Sequence, residues 1–470
     1  MSGAGTLRLA DREAVLAHAF RLVLEAWRTF DRARPGQPEL EDRHRRLLAA
    51  PLPEAPADPR TVLDQAADVL DVSMSQARPR FFAYVGSSGL EIGVLGDALV
   101  ASHDVNVATS AGGADLVEAQ TVAWVADFVG FGRPADGLLA PGGTIANLTA
   151  LAAARERAVP GVRHTGATGR PMALYCSREA HYSIRRAAEV LGIGGRQVRA
   201  LDVGPDRRMD VGACAAAIEA DRRAGVVPVA VVATAGTTLT GAVDDLAGLA
   251  DLCTRLGVWL HVDGAYGLPA AATALAGARF AGLDRADSAT VDAHKWLYVP
   301  KACSVLLVRD PAALEATFSH QEDYIPHVGM EELHPVDRTL EYSRPLRALK
   351  LWLAFRVHGA AAIRTAIERN LEQALVLAAL LDAAPGFTRL HDPQLSAVCF
   401  RLDPPAGADP AAHNAGLARA VERDGRILLA PAELDGVPCL RACIVNHRTT
   451  DEDVRAIVEV VADVARRTAS

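Results

Sequence analysis

Three lysines, Lys295, Lys301 and Lys350, stand among 49 basic residues, and everywhere else the chain uses arginine. A mutational bias against lysine codons accounts for the depletion. It makes each surviving lysine a candidate for chemistry that a guanidinium cannot perform, such as a Schiff base, which needs an amine able to lose its proton. Lys295 has the setting for it. In Asp287-Ser-Ala-Thr-Val-Asp-Ala-His-Lys-Trp-Leu-Tyr298, alternation predicts a strand over Ser288–Val291 that delivers His294 and Lys295 just past its end. Lys301 and Lys350 lack that setting and are expected to be surface or hydrogen-bonding lysines. Asp263 lies 295 − 263 = 32 residues earlier, closing the apolar run of His261-Val-Asp-Gly-Ala-Tyr-Gly267. His261 and Asp263 share a strand face, but a metal pair lacks a third ligand at any recognisable spacing. An aspartate that caps the turn is the other structural reading.

The segment Gly137–Arg155 reads as a glycine turn opening into an alanine-rich helix. Gly142 and Gly143 permit close backbone approach, Thr144 offers a hydroxyl and a cap, and free N–H groups at a helix start attract phosphate. Many helices begin with such a cap, so the signal gains weight only from its company. Two further strand ends supply it: Cys176-Ser-Arg-Glu-Ala-His181, followed by a helix, and Ala233-Thr-Ala-Gly-Thr-Thr238. Gly192-Ile-Gly-Gly195 precedes a strand and opens no helix, so it is not a dinucleotide fingerprint. An amine, a carboxylate, a phosphate cradle and a stacking imidazole make the set that pyridoxal 5′-phosphate requires, with no metal. Asp263 would hold the pyridine nitrogen protonated, because an adjacent negative charge favours the charged form.

The elements that position these groups follow from patterning. Apolar residues at helical spacing predict a helix over residues 11–30, and a second is expected from about Thr61 to Ala77 after the Pro51–Pro59 break. Arg43-His44-Arg45-Arg46 follows acidic residues and reads as a solvated helix face. From Arg78 onward, short β-branched runs alternate with helical stretches, the sign of an α/β domain with a largely parallel sheet. Strands are expected at Ala173–Cys176, Val227–Thr234, Trp259–Val262, Ser288–Val291 and Cys303–Val308, and ligands of such sheets gather at the carboxyl ends of the strands. Beyond Arg347 the pattern gives helices at Leu349–Val357 and Ala361–Leu381. Strand-like pieces follow at Ala397–Leu402, Arg426–Leu429 and Leu440–Val445, then a helix over Asp451–Arg467. The expected organisation is an N-terminal helical segment (1–78), a large α/β domain (79–346) and a small α+β domain (347–470).

Composition narrows the classes. The 470 residues carry 49 basic against 57 acidic side chains, a net charge of −8, which gives no electrostatic case for nucleic acid or anionic membrane. No apolar stretch approaches the ~20 residues of a membrane span. Charges interrupt the apolar positions of residues 1–30, against a signal peptide. Seven scattered cysteines without a C-x-x-C pair fit a reducing, cytoplasmic setting. Cys439, Cys443 and His447 form a near-cluster, but Cys439 and Cys443 read as packed thiols on one strand face.

In the phrases His-Val-Asp-Gly-Ala-Tyr, Asp-Ala-His-Lys-Trp-Leu and Ala-Thr-Ala-Gly-Thr-Thr, the sequence resembles the group II pyridoxal-phosphate-dependent amino-acid decarboxylases. That family includes the aromatic-L-amino-acid, histidine and glutamate decarboxylases. Agreement runs from about Pro79 to Val308 and resumes at Tyr342–Gly359. The resemblance implies a fold-type I architecture of the aspartate aminotransferase kind: a mostly parallel central sheet with helices on both faces, a smaller α+β C-terminal domain, and a homodimer with sites at its interface. It implies that Lys295 binds the cofactor, Asp263 pairs with the ring nitrogen, His181 stacks on the ring and Ala265 packs beneath it. Gly143, Thr144, Thr238 and His294 would hold the phosphate and its surroundings.

Phe81-Phe-Ala-Tyr-Val-Gly-Ser87 resembles the aromatic segment that lines the family's substrate pocket, so Phe82, Tyr84 and Ser87 are expected there; an ordinary hydrophobic strand is the other reading. Tyr324 corresponds in order to a mobile-loop tyrosine that protonates the product carbanion. Two departures stand out: Ala293 replaces a usual proline, and Asp292 sits where some relatives place an asparagine on the phosphate, a role not carried over. Ser343 falls where aromatic and imidazole substrates are distinguished in parts of the family. The implied reaction is decarboxylation of an L-amino acid, aromatic in preference, by contact area against Phe82 and Tyr84. An acidic substrate is the alternative, served by arginines such as Arg344 or Arg347. Aldehyde synthesis, other chemistry of the same fold and a silent scaffold are the remaining rivals.

Overall fold

The run Val227–Thr234 is apolar at nearly every position, so a strand made from it needs cover on both faces. The computed structural model, which describes residues 7, 9, 11–36, 40–86, 88–109, 111–167, 169–320, 335–405 and 407–469, supplies that cover. Its main sheet consists of β1 (Asp136–Ala140), β2 (Met172–Ser177), β3 (Val198–Leu201), β4 (Val227–Thr234), β5 (Trp259–Asp263), β6 (Ser288–Val291) and β7 (Ser304–Val308). The order across it is β1-β7-β6-β5-β4-β2-β3, parallel except for β7, which runs against both β1 and β6.

Neighbouring side chains along each strand enter different cores. Leu138, Leu174, Val232 and Trp259 join helices Gly143–Ala158, Ser183–Val190 and Ala312–Phe318 on one face. Leu139, Tyr175, Val231 and Leu260 join helices Gly113–Val129, Val211–Arg223 and Leu246–Leu256 on the other. This is the period-2 alternation of a strand covered twice. Strand β1 is absent from the expected set because Asp136-Gly137 reads as a turn. In the fold, Gly137 sits in pairing distance of β7, where a Cβ would fall 1.9 Å from the Leu306 carbonyl oxygen, so only glycine fits.

A second, antiparallel sheet is ordered β10-β11-β9-β8, from β8 (Phe387–Arg389), β9 (Ala397–Leu402), β10 (Ala430–Leu434) and β11 (Val437–Cys443). Its hairpin turns at Asp435-Gly436, both at positive φ, the pattern an Asp-Gly pair favours. Helices Pro410–Asp424 and Asp451–Ala469 share its core with the C-terminal half of helix Ala348–Ala383, whose interior breaks at non-helical Gly359 between the two predicted helices. Two expectations are corrected. Arg426–Leu429 is not a strand of this sheet; the strand follows it at Ala430–Leu434. Residues 80–82, expected in the large domain, are stitched to the C-terminal region. Leu428 N–H donates to Arg80 O at 3.1 Å, Phe82 N–H to Leu428 O at 2.9 Å and Cys443 N–H to Phe82 O at 2.9 Å.

Helices Arg12–Thr29 and Pro59–Asp71 pack on each other and leave Leu16, Phe20, Leu24, Val62 and Leu70 exposed. Pro59–Asp71 starts at Asp58, which caps the Thr61 N–H at 2.9 Å, and ends short of the predicted Ala77. No described helix is long and apolar enough to cross a membrane.

Candidate active site

Every parallel strand from β1 to β6 except the edge strand β3 delivers its carboxyl end to one cavity of 520 Å³. Strand β1 leads to Pro141, Gly142 and Gly143, β2 to His181, β4 to Thr234, Gly236 and Thr238, β5 to Asp263 and Ala265, and β6 to Asp292, His294 and Lys295. Because β7 runs the other way, its amino end lies at the same edge and adds Lys301 and Ala302. From the small sheet, Arg441 of β11 completes the wall.

Lys295 sits in the single helical turn Ala293–Trp296, with its Nζ 2.9 Å from Asp292 Oδ2. Burial works against its ammonium, yet the Asp292 charge and hydrogen bond outweigh it and hold the Lys295 pKa above its ordinary value. Asp292 is 2% exposed; burial pushes its carboxyl up, but Lys295, His294 and the Ser304 hydroxyl bring it below the usual carboxylate range. His294 lies 3.8 Å from the same oxygen, with its Nδ1 2.9 Å from Cys303 O, and burial lowers its pKa. Asp292 therefore holds the lysine, a role the sequence alone left unassigned.

Asp263 ends β5 and meets neutral donors. Asn147, on helix Gly143–Ala158, donates from Nδ2 to Asp263 Oδ2 at 2.9 Å, and the Ala265 N–H donates to Oδ1 at 3.2 Å. Asn147 Oδ1 is 3.0 Å from His261 Nε2, and His261 Nδ1 is 2.8 Å from Ser288 Oγ. Burial pushes the His261 imidazole down to about 4. Both ring nitrogens of His261 are thus taken up by neighbouring side chains. His181 lines the cavity with its Nδ1 2.9 Å from Ser183 Oγ, and burial lowers its pKa.

The helix after the glycine turn starts at Gly143, with one correction to its cap. The cap residue is Gly142, in extended backbone, and Thr144 lies inside the first turn without a side-chain cap bond. A Cβ at Gly143 would stand 2.8 Å from an Asp292 oxygen and 3.2 Å from Ala265 Cβ, so glycine keeps this corner open. Thr238 is exposed on the cavity wall, and its carbonyl accepts from the Arg441 guanidinium. Arg441 is 4% exposed, and among the described residues its charge has no carboxylate partner. An amine, a carboxylate, two imidazoles, helix-start N–H groups, threonines and a spare guanidinium around an open corner fit pyridoxal phosphate in both charge and size.

Other expected residues divide. Tyr84 is 56% exposed, at positive φ, on the cavity wall. Phe82 is corrected: at 1% exposure it packs into the small-domain core with Phe400 and Leu377, because the strand-like pairing of residues 80–82 sends it away from the cavity. Ser87 and Tyr324 lie outside the described residues. Arg344 and Arg347, offered for an acidic substrate, are committed elsewhere. Arg344 binds Glu118 at 2.8 and 2.9 Å, Arg347 binds Glu341 at 2.7 and 2.9 Å, and neither lines the cavity. Ser343 is exposed outside it. Lys350 pairs with Asp97 at 2.7 Å away from the site, whereas Lys301 lines it while donating to Gln76. Asn147, Asp292, Lys301 and Arg441 are the site residues sequence reasoning missed. Asn147 sits one helical turn past Gly143, a spacing that could have found it. All seven cysteines are free and buried.

Residues 42–403 match the family described as the pyridoxal-dependent decarboxylase conserved domain. An aromatic-L-amino-acid decarboxylase of Bacillus atrophaeus is 35% identical over 430 residues, covering 90% of this chain and 88% of the relative. An acidic amino acid decarboxylase of Bos taurus is 30% identical over 377 residues, covering 77% and 71%. The crystal structure of Oryza sativa TDC with PLP and tryptamine aligns over 99% of both chains with a TM-score of 0.91; at 24% identity it speaks for the fold.

Proposed function

The chain belongs to the pyridoxal-dependent decarboxylase family, and from that premise we propose that it converts an aromatic L-amino acid to its amine and carbon dioxide. The observation that carries the reading is the convergence of Lys295, Asp263 and His181 on one cavity at the carboxyl edge of the sheet. Pyridoxal phosphate, when bound, supplies an electron sink for the pair left by the departing carboxylate.

Lys295 would hold the cofactor through its aldehyde, and Asp292, 2.9 Å from Nζ, keeps the amine in place. Asp263 holds a proton on the pyridine nitrogen, since a neighbouring carboxylate favours the charged form. His181 would cover the ring, and Gly143, Thr144, Thr238 and His294 would hold the phosphate. Binding orients the breaking bond, and a substrate seated in the cavity shields from water a carboxylate that leaves as a neutral molecule. Tyr324 is the proposed proton donor to the product carbon.

The aromatic preference is supported by Tyr84 at the cavity wall, by the commitment of Arg344 and Arg347 to Glu118 and Glu341, and by the Bacillus relative. A second reading, an acidic substrate, is favoured by Arg441 and Lys301, two cations lining the cavity without carboxylate partners among the described residues. We also infer a homodimer, in which the exposed apolar side chains of helices Arg12–Thr29 and Pro59–Asp71 are covered by a second copy. Carbon dioxide release with added cofactor, over aromatic, imidazole and acidic L-amino acids, tests the substrate class. Release from aromatic substrates is expected; release confined to acidic ones would replace this reading with the second, and an aldehyde product would replace decarboxylation alone.

A further inference from the structure

Four side chains behind Asp263 are joined to it in a line whose hydrogen-bond direction is fixed from the carboxylate end. The Trp259 indole nitrogen can only donate, and at 2.8 Å it occupies a lone pair of Ser288 Oγ. At the other end the Asp263 carboxylate can only accept. Asn147 must therefore turn its NH₂ toward Asp263, 2.9 Å away, and its Oδ1 toward His261 Nε2, 3.0 Å away. His261 then carries its proton on Nε2, and its Nδ1 accepts from the Ser288 hydroxyl at 2.8 Å. The reverse arrangement would set the amide oxygen against the carboxylate, in a place where burial makes an unmet polar group costly.

The same amide nitrogen also donates to Ser183 Oγ at 3.0 Å, which frees the Ser183 proton for His181 Nδ1 at 2.9 Å. The Ser183 backbone N–H, 3.3 Å from that nitrogen, agrees that Nδ1 accepts. His181 is thereby left with its proton on Nε2, the ring nitrogen available to a ligand. Asn147, His261 and Ser288 are 1%, 0% and 0% exposed, so water does not substitute for any link.

We propose that Asn147 is a positioning residue, turned by Asp263 and backed by His261 and Ser288, that directs one N–H to Asp263 and, through Ser183, keeps His181 as an Nε2–H donor toward an oxygen atom of the bound ligand. Its catalytic consequence rests on the decarboxylase reading; its hydrogen positions do not. The experiment is nitrogen NMR of histidine-labelled cofactor-free protein, with His261→Gln and His181→Gln spectra for assignment, beside the kinetics of Ser288→Ala and Ser288→Thr. Both histidines are expected to show a bare Nδ1 and a protonated Nε2 in the native chain. Ser288→Ala is expected to leave the proton on His261 Nε2, where Asp263 sets it through Asn147, but to loosen the ring and lower kcat about tenfold, the scale of one lost buried hydrogen bond, with KM little changed. Ser288→Thr, which keeps the hydroxyl, is expected to keep the native kcat. A proton on Nδ1 of either native histidine, or native kcat in Ser288→Ala, would overturn the proposal. Absence of turnover on every amino acid would instead remove the decarboxylase reading and leave the tautomer result standing.

Discussion

On the Lys295 side of the cavity, side chains meet as charges: an ammonium 2.9 Å from a buried carboxylate, with His294 at 3.8 Å from the same oxygen. On the Asp263 side, a carboxylate of similar burial meets an amide and a backbone N–H, backed by a neutral histidine. Charge pairing answers to pH and sets when the amine can react. Neutral donors hardly respond to pH and instead fix direction. One side is thus built to change state, the other to stay as it is.

Removing the changing side altogether has the largest effect. Lys295→Ala is expected to abolish turnover and the visible absorbance of bound cofactor, both read in one assay of the reconstituted protein. Asp263→Asn keeps the shape and removes the charge. A missing carboxylate lowers a neighbour's pKa by about 1–3 units, so kcat is expected to fall roughly 10- to 1000-fold; an unchanged kcat would mean that the neutral side only packs. Asp292→Asn sharpens the contrast through pH. Asp292 raises the Lys295 pKa, so its loss lowers that pKa and more neutral amine is present at any given pH below it. Cofactor capture, followed by stopped-flow absorbance, should reach its plateau at a pH lower by about 1–2 units. The smallest effect separates two aromatic residues. Phe82→Ala should cost about 3–5 kcal/mol in denaturant unfolding, as for a buried ring. Tyr84→Ala should change stability by about 0.5 kcal/mol or less while raising KM for an aromatic substrate a few-fold.

These contrasts also mark what the sequence makes legible. Strands Val227–Thr234 and Ser288–Val291 match their predicted bounds because unbroken or alternating apolar runs have few other uses. Asp263 was singled out because it ends such a run, and Lys295 and His181 because each follows one by four residues. Strand β1 was not, since its Asp-Gly start imitates a turn and the glycine serves close pairing with β7. The antiparallel β7 hid Lys301, which lies before its strand and not after it. Arg441 was hidden because it arrives from the other sheet. Phe82 and Tyr84 differ by two positions, a spacing that would put both on one strand face; the positive φ of Tyr84 breaks that rule.

The most direct test uses the scarcity of lysine. Reducing the cofactor-loaded protein with borohydride fixes pyridoxal phosphate to the lysine that holds it, and only Lys295, Lys301 and Lys350 can carry the tag. Lys301 lines the same cavity and is a genuine competitor. Peptide mass spectrometry should find the tag on Lys295 alone; a tag on Lys301 or Lys350 would contradict the assignment of the site.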